Sequence, residues 1–155
     1  MRIGHGFDAH QFAPDRPLIL GGVTIPHDGG LVGHSDADVL VHTIIDALLG
    51  AAALGDIGIL FPSSDDRWAG ASSLDLLALA VEAVHGNGHT VVNVDSTVIA
   101  EAPRLAPYVP SMRQSIASVL ALSVDSVSVK ATTTDGMGFT GRAEGIAAFA
   151  VVLLE

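Results

Sequence analysis

The chain contains no cysteine. Disulfides, thiolate metal sites and a thiol nucleophile are therefore excluded. Positive charge is scarce as well, with seven Lys and Arg against 17 Asp and Glu and a formal net charge of −10. Nucleic acids and anionic membrane surfaces both need a basic face, so neither is an expected partner. The same imbalance opposes phosphate-bearing ligands, unless a bound cation reverses the local sign. A clean membrane span is also missing: the most apolar run, VLVHTIIDALLGAAAL, is interrupted by His42 and Asp46 before it reaches about 20 residues. The opening RIGHGFDAH has neither an apolar leader core nor a transit-peptide bias, and the expected location is cytoplasmic.

What the chain has in excess is apolar surface. Apolar residues make up 49% against 15% charged, and the mean hydropathy is +0.50. A length of 155 residues suits one domain, 1–155, with a real core. The surplus beyond that core implies surface buried in an oligomer.

Alternating and helical patterns interleave along the sequence. Residues 2–12 read as a strand, LIL (18–20) and VTI (23–25) as two short ones, and HDGG as a turn. A helix is expected from about Ser35 to Leu54, with Ser35 and Asp38 spaced as a capping box. Asp36 adds negative charge at that helix's positive end. Further helices are expected at 72–86 and from Ser111 to about Leu122. Strands are expected at 90–100, over SVSVKATTT, and in the closing GIAAFAVVLLE, which is too apolar to be half exposed. This order predicts an α/β (α+β sandwich) class: a mixed sheet with helices on one face, the other face covered by a partner subunit.

In GFDAHQF, Asp8 and His10 stand two apart on a strand and so point the same way. Gly4 and Gly6 share that face and leave room for something to approach. On the helix, His42 and Asp46 lie four apart among Val, Leu, Ile, Ala and Thr. A helix apolar nearly all round is buried, and buried ionisable groups need partners. A satisfied His–Asp core pair and an edge-strand Asp–His pair are the plain alternatives. Taken together, however, Asp8, His10 and His42 make a three-ligand set with an open position, suited to catalytic Zn²⁺ or to non-haem Fe²⁺.

Longer blocks narrow the choice. HSDADVLVHTIIDALLGAAALGDIG (34–58) resembles the signature of the 2-C-methyl-D-erythritol 2,4-cyclodiphosphate synthase family of non-mevalonate isoprenoid biosynthesis. RIGHGFDAH, LFPSSD (60–65) and VKATTTDGMGFTGRAEGIA (129–147) resemble its other blocks, in order, across essentially the whole chain. The resemblance implies a CMP-releasing, cyclising phosphorus–oxygen lyase. It implies that Asp8, His10 and His42 hold Zn²⁺, and that His34 and Thr133 stabilise the transition state while Ser35 contacts phosphate. It further implies that Asp56, Ile57 and Gly58 hold the methylerythritol hydroxyls. Phe61, Pro62 and Asp65 would belong to a covering loop.

The nucleotide end would comprise Ala100, Arg104, Leu105 and Ala106 with Ala131 and Thr132. Asp135, where the family carries Glu, would hold a second ion, Mg²⁺ or Mn²⁺; Arg104 stands where Lys is common. The assembly implied is a homotrimer with its sheets toward the threefold axis and its sites between subunits. Phe7, Phe139, Arg142 and Glu144 would lie toward a central channel or the substrate, with an isoprenoid as the channel's ligand. Asp46 is expected as a structural partner on the His42 face, and His27, His85 and His89 as solvated. Two other readings remain at this point. An Fe²⁺ oxygenase would use the same ligand set but leaves VKATTTDG unexplained; a trimeric metal- or lipid-binding protein would keep the fold without the activity.

Overall fold

A computed structural model describes residues 1–155. Seven strands run β1 (Arg2–Pro14), β2 (Leu18–Leu20), β3 (Val23–Ile25), β4 (Gly29–Leu31), β5 (Val91–Ile99), β6 (Val127–Thr132) and β7 (Gly145–Leu154). The helices are α1 (Val39–Ala52), α2 (Ile57–Leu60), α3 (Ser73–Gly86), α4 (Val109–Leu120) and α5 (Gly138–Gly141). Five strands form one sheet in the order β4-β1-β7-β5-β6, parallel only between β5 and β6, while β2 and β3 form a separate hairpin. No helix is long and apolar enough to cross a membrane.

Helices α1, α3 and α4 cover one face of the sheet. Leu40, Ile44 and Leu48 of α1, Leu77 of α3 and Ile116 of α4 meet Val94, Val98, Ala148 and Val152 from the sheet in one continuous core. The other face is open within this chain and carries Ile3, Phe7, Phe149 and Val151. Phe7 and Phe149 pair across the strands with ring centroids 4.8 Å apart, and the lone lysine, Lys130, bonds to Asp95 at 2.7 Å. The closing strand is therefore half exposed in a single chain, on the face that the sequence reading leaves for a partner subunit to cover. The one-sided arrangement of helices matches the expectation.

Helix α1 begins later than its sequence suggests. Its N-cap is Asp38, not Ser35, because Asp38 accepts from the Val41 amide at 3.1 Å while Ala37 turns left-handed at φ +61°. The same buried carboxylate accepts from Gly21 and Gly22 of the β2–β3 turn at 3.0 and 2.7 Å, tying the hairpin to the helix start. At the other end Ala53 is left-handed and Leu54 N–H closes onto Leu49 C=O, so the helix stops at Ala52. HDGG does not simply turn: Gly29–Leu31 pair with Phe12–Pro14 as β4. Helix α4 starts at Val109 with Pro110 in its first turn, where a missing N–H costs nothing.

What approaches the glycine face of β1 is α1 itself. A Cβ on Gly6 would lie 2.0 Å from Thr43 C=O, and one on Gly4 would lie 1.8 Å from Ala47 C=O. Two strand residues advance about 6.7 Å and four helical residues about 6 Å, so alternate glycines receive successive turns of the helix. The Cα–Cβ bond of His42 leans toward the helix N-terminus, which carries its ring over Asp8 and His10. We expect Gly6→Ala to force α1 off β1 and cost about 3 kcal/mol or more, read as a lower urea midpoint at unchanged slope.

Candidate metal and phosphate site

At the end of this contact Asp8, His10 and His42 offer ligand atoms that all lie within 4.8 Å of one another. Asp8 Oδ2 is 2.9 Å from His10 Nε2 and 3.2 Å from His42 Nδ1, and the two nitrogens are 3.1 Å apart. A tetrahedral ion with bonds of about 2.0–2.1 Å spaces its ligand atoms about 3.3 Å apart, so the triangle fits such an ion with little movement. The outer hydrogen bonds decide what the inner atoms present. His10 Nδ1 faces Val32 C=O, which can only accept, so Nδ1 carries the proton and the neutral ring turns the lone pair of Nε2 inward.

The electrostatics agree. Burial alone would raise the Asp8 carboxyl, but hydrogen bonds and charge from His10 and His42 outweigh it and hold the group well below the usual carboxylate range. Burial lowers His10, and the Asp8 hydrogen bond and charge more than reverse this, raising it above the ordinary histidine value. A carboxylate and two imidazoles facing one point favour a cation there, and without a metal a proton takes part of that role.

A cavity of about 270 Å³ opens onto the triad, lined by Asp8, His10, His34, Ser35, His42, Ile57, Gly58, Phe61, Ser63, Trp68 and Leu76. His34 is exposed; its Nε2 donates to Asp65 C=O at 3.2 Å, joining the two loops across the mouth. Ser35 is buried, its Oγ 2.9 Å from His42 Nε2 and 3.3 Å from the Ala37 amide, so it contacts the site rather than capping α1. Asp56 caps α2 by accepting from Ile59 N–H at 2.9 Å and stands beside the cavity, not in its wall. Asp46 does not bond to His42: its Oδ1 accepts from Ile57 N–H at 2.8 Å and so anchors the Asp56–Gly58 turn.

The covering loop contributes Phe61, Ser63 and Trp68 to the wall; Pro62 and Asp65 lie outside it. Asp65 caps the short 3₁₀ turn Asp66–Trp68 and pairs with Arg67 at 2.6 Å. Trp68 packs edge-on against Phe61 at 5.1 Å, and its buried Nε1 has no hydrogen-bond partner.

A second cavity, of about 280 Å³, gathers Ala100, Glu101, Pro103, Arg104, Leu105, Ala106, Ala131, Thr132 and Thr133. Every residue expected at a nucleotide end therefore converges on one hollow, beside the turn in which Asp135 (φ +52°) exchanges hydrogen bonds with Thr133. Asp135 is near Thr133 and away from the triad. Phe139 lines a different hollow with Ala9, His10 and Gln11, and Arg142 is engaged by Glu144 at 2.7 Å, both side chains exposed. Of the remaining histidines, His27 and His85 are exposed, and His89 lies against Arg2 at 3.3 Å.

A family model described as the YgbB family matches residues 1–155. The chain belongs to this family. A relative from Marinobacter nauticus, named 2-C-methyl-D-erythritol 2,4-cyclodiphosphate synthase, is 57% identical over 155 residues, covering 100% of this chain and 98% of the relative. Among solved structures, the bifunctional IspDF of Campylobacter jejuni superposes with a TM-score of 0.95 at 45% identity. This chain is covered to 99% there but spans only 42% of that longer protein. A CDP-bound 2C-methyl-D-erythritol-2,4-cyclodiphosphate synthase superposes with a TM-score of 0.91 at 36% identity, covering 99% of this chain and 100% of that one.

Sequence reading missed Trp68, Ser73 and Leu76, all in or against the first cavity; for Ser73 and Leu76 the reason is that nothing in GASSLDLL marks a helix start as part of a distant site. The role of Asp46 follows from the structure and is open to test. Asp46→Ala should free the Ile57 amide, raising its hydrogen-exchange rate about tenfold or more while costing about 1–2 kcal/mol of stability.

Proposed function

We propose that this protein converts 4-diphosphocytidyl-2-C-methyl-D-erythritol 2-phosphate into 2-C-methyl-D-erythritol 2,4-cyclodiphosphate and CMP. The observation that carries this is the pair of hollows: one at a cation-ready triad, the other holding every candidate nucleotide contact, on a chain of this family. A 2-phosphate oxygen attacks the β-phosphorus; that P–O bond forms as the bond to the bridging α–β oxygen breaks, and CMP leaves with the electron pair. The nucleophile is largely dianionic at neutral pH, its second pKa being about 6, so no side chain has to deprotonate it.

The work left to the protein is positioning and neutralisation. Asp8, His10 and His42 would hold Zn²⁺, which supplies Lewis-acid polarisation of the β-phosphate. Ser35 donates its hydroxyl to a phosphate oxygen, and His34 and Thr133 neutralise charge that develops on the reacting group. The Ile57 and Gly58 backbone, steadied by Asp46 and capped by Asp56, holds the methylerythritol hydroxyls. Phe61, Pro62, Asp65 and Trp68 shield the site, because water there would hydrolyse the diphosphate instead of letting it cyclise. Ala100, Arg104, Leu105, Ala106, Ala131 and Thr132 receive the cytidine phosphate end. Asp135, its carboxylate steadied by Thr133, would hold Mg²⁺ or Mn²⁺, which would supply further neutralisation of the diphosphate charge.

Distance within the sheet supports sites shared between subunits, as in a homotrimer. Asp8, Ala148, Val98 and Ala131 stand in one row across β1, β7, β5 and β6, so three strand spacings, about 14 Å, separate the triad from Ala131 and its neighbour Thr133. One reacting phosphorus cannot touch both. This separation favours a Thr133 supplied by a second copy, and the open apolar face of the sheet, with Phe7 and Phe149, is the surface suited to pack toward a threefold axis. Arg142 and Glu144 would then line a central channel able to take an isoprenoid.

Phosphorus-31 NMR with the cytidyl substrate, Zn²⁺ and Mg²⁺ should show CMP and a cyclic diphosphate, and His42→Ala should abolish turnover. Intact substrate despite stoichiometric zinc would refute the assignment. Mixing unfolded His42→Ala and Thr133→Ala chains and refolding them together should restore part of the activity that neither has alone; no recovery, or a monomer by light scattering, would sink the shared site.

A further inference from the structure

We infer that Asp36 and Ser73 are positioning residues that set the tautomer of His42, so that its Nδ1 lone pair faces the ion and the Ser35 hydroxyl proton is left for the ligand. The inference rests on the metal reading of the triad given above.

Ser73 is the first residue of α3 and fully buried, 31 positions from His42 in sequence. Its Oγ lies 3.0 Å from His42 Nε2 and donates its own proton to Asp36 Oδ1 in a short hydrogen bond. The hydroxyl has one proton, and the carboxylate takes it. Toward His42, Ser73 Oγ can then only accept, so Nε2 carries the hydrogen and Nδ1 is left with its lone pair toward Asp8 and His10. The other hydroxyl on Nε2, Ser35 Oγ, lies 2.9 Å away and also receives the Ala37 amide. Facing a nitrogen that is already protonated, Ser35 has no use for its proton on that side, and the residue lines the cavity. One chain of hydrogen bonds, from His42 through Ser73 to Asp36, thus orients both a ligand to the ion and a donor to phosphate.

Asp36 is itself held in place. Its Oδ2 accepts from the Ser73 amide at 2.9 Å and its Oδ1 from the Asp38 amide at 3.2 Å. Ser72, the N-cap residue of α3, makes no side-chain cap bond, so Asp36 caps that helix from a distance. A capping role alone would explain the backbone contact. It does not call for the Ser73 hydroxyl, whose only other neighbour is the His42 ring.

Ser73→Ala separates the two roles, since it keeps the backbone N–H that Asp36 caps and removes only the link to His42. We expect Zn²⁺ affinity, measured by competition with a chromophoric chelator and without substrate, to fall about 10- to 100-fold. The melting temperature of the metal-free chain should stay within about 3 °C. In ¹⁵N-histidine spectra of the metal-free protein at a pH where the ring is neutral, His42 should be the Nε2–H tautomer in the parent and a mixture in Ser73→Ala. Ser73→Thr, which keeps the hydroxyl, should retain the parent tautomer if it folds. Unchanged Zn²⁺ affinity in a folded Ser73→Ala, or a His42 tautomer that does not change, overturns the inference. Failure of the parent protein to bind Zn²⁺ would instead overturn the metal reading on which it rests.

Discussion

The contact of α1 with β1 is the interaction on which the rest of the structure depends. Two glycines let helix carbonyls of Thr43 and Ala47 sit where side chains would otherwise stand. The helix buries 12 of its 14 residues, and this close seating explains how it can bring an ionisable ring to the strand at all. His42 reaches Asp8 and His10 only because strand and helix advance almost in step. A wider gap, filled by ordinary side chains, would separate His42 from Asp8 and leave a buried polar ring without its partners, an arrangement that costs several kcal/mol.

Around that contact, the aspartates divide the labour. Asp38 gathers three backbone donors from a hairpin and a helix start, Asp46 holds a turn, Asp36 caps a distant helix, and Asp8 faces the candidate ion. In a chain with a net charge of −10, a phosphate-rich ligand would be repelled unless the charge near the cavity were reversed. Committing three of these carboxylates to backbone donors offsets part of the cost of burying them, although burial still pushes Asp38 up to about 6 and raises Asp46. The fourth is left to pair with imidazoles and a cation. Acidity overall and affinity for phosphate are then compatible, because the sign of the field at the cavity is set by what Asp8, His10 and His42 hold.

The candidate site is split for a topological reason. The two blocks proposed to carry its chemistry lie on β1 and at the end of β6, and β7 and β5 are inserted between them. No side-chain movement closes three strand spacings. An arrangement in which the sheet's open face packs against other copies resolves both the split and the exposed Phe7, Phe149 and Val151. The hydrophobic surplus in the composition and the separation of the two hollows are independent supports for the proposed assembly.

Much of this was legible in the residues. The alternation of apolar positions located the long strands within two residues, the D-x-H pair and the buried His42 announced the triad, and the motif blocks picked out residues that line one second hollow. Legible features were those in which a residue's type and short-range spacing carry the information. The start of α1 was not among them: Ser35 and Asp38 both suit a cap, and the choice fell to Asp38 through the β2–β3 turn, 16 and 17 residues away in sequence, while Ser35 is taken up by the His42 ring. Ser73 was invisible for the same reason, as was the true partner of Asp46. The residues by themselves therefore determined a candidate three-ligand set and a surplus of apolar surface, since ligand types, charge and apolar periodicity are local properties, while the reaction was implied by the resemblance of longer motif blocks. The tertiary structure alone decided which hydroxyl, amide or carboxylate meets each ligand, because those partners come together only through the packing of α1 and α3 against one another and the sheet.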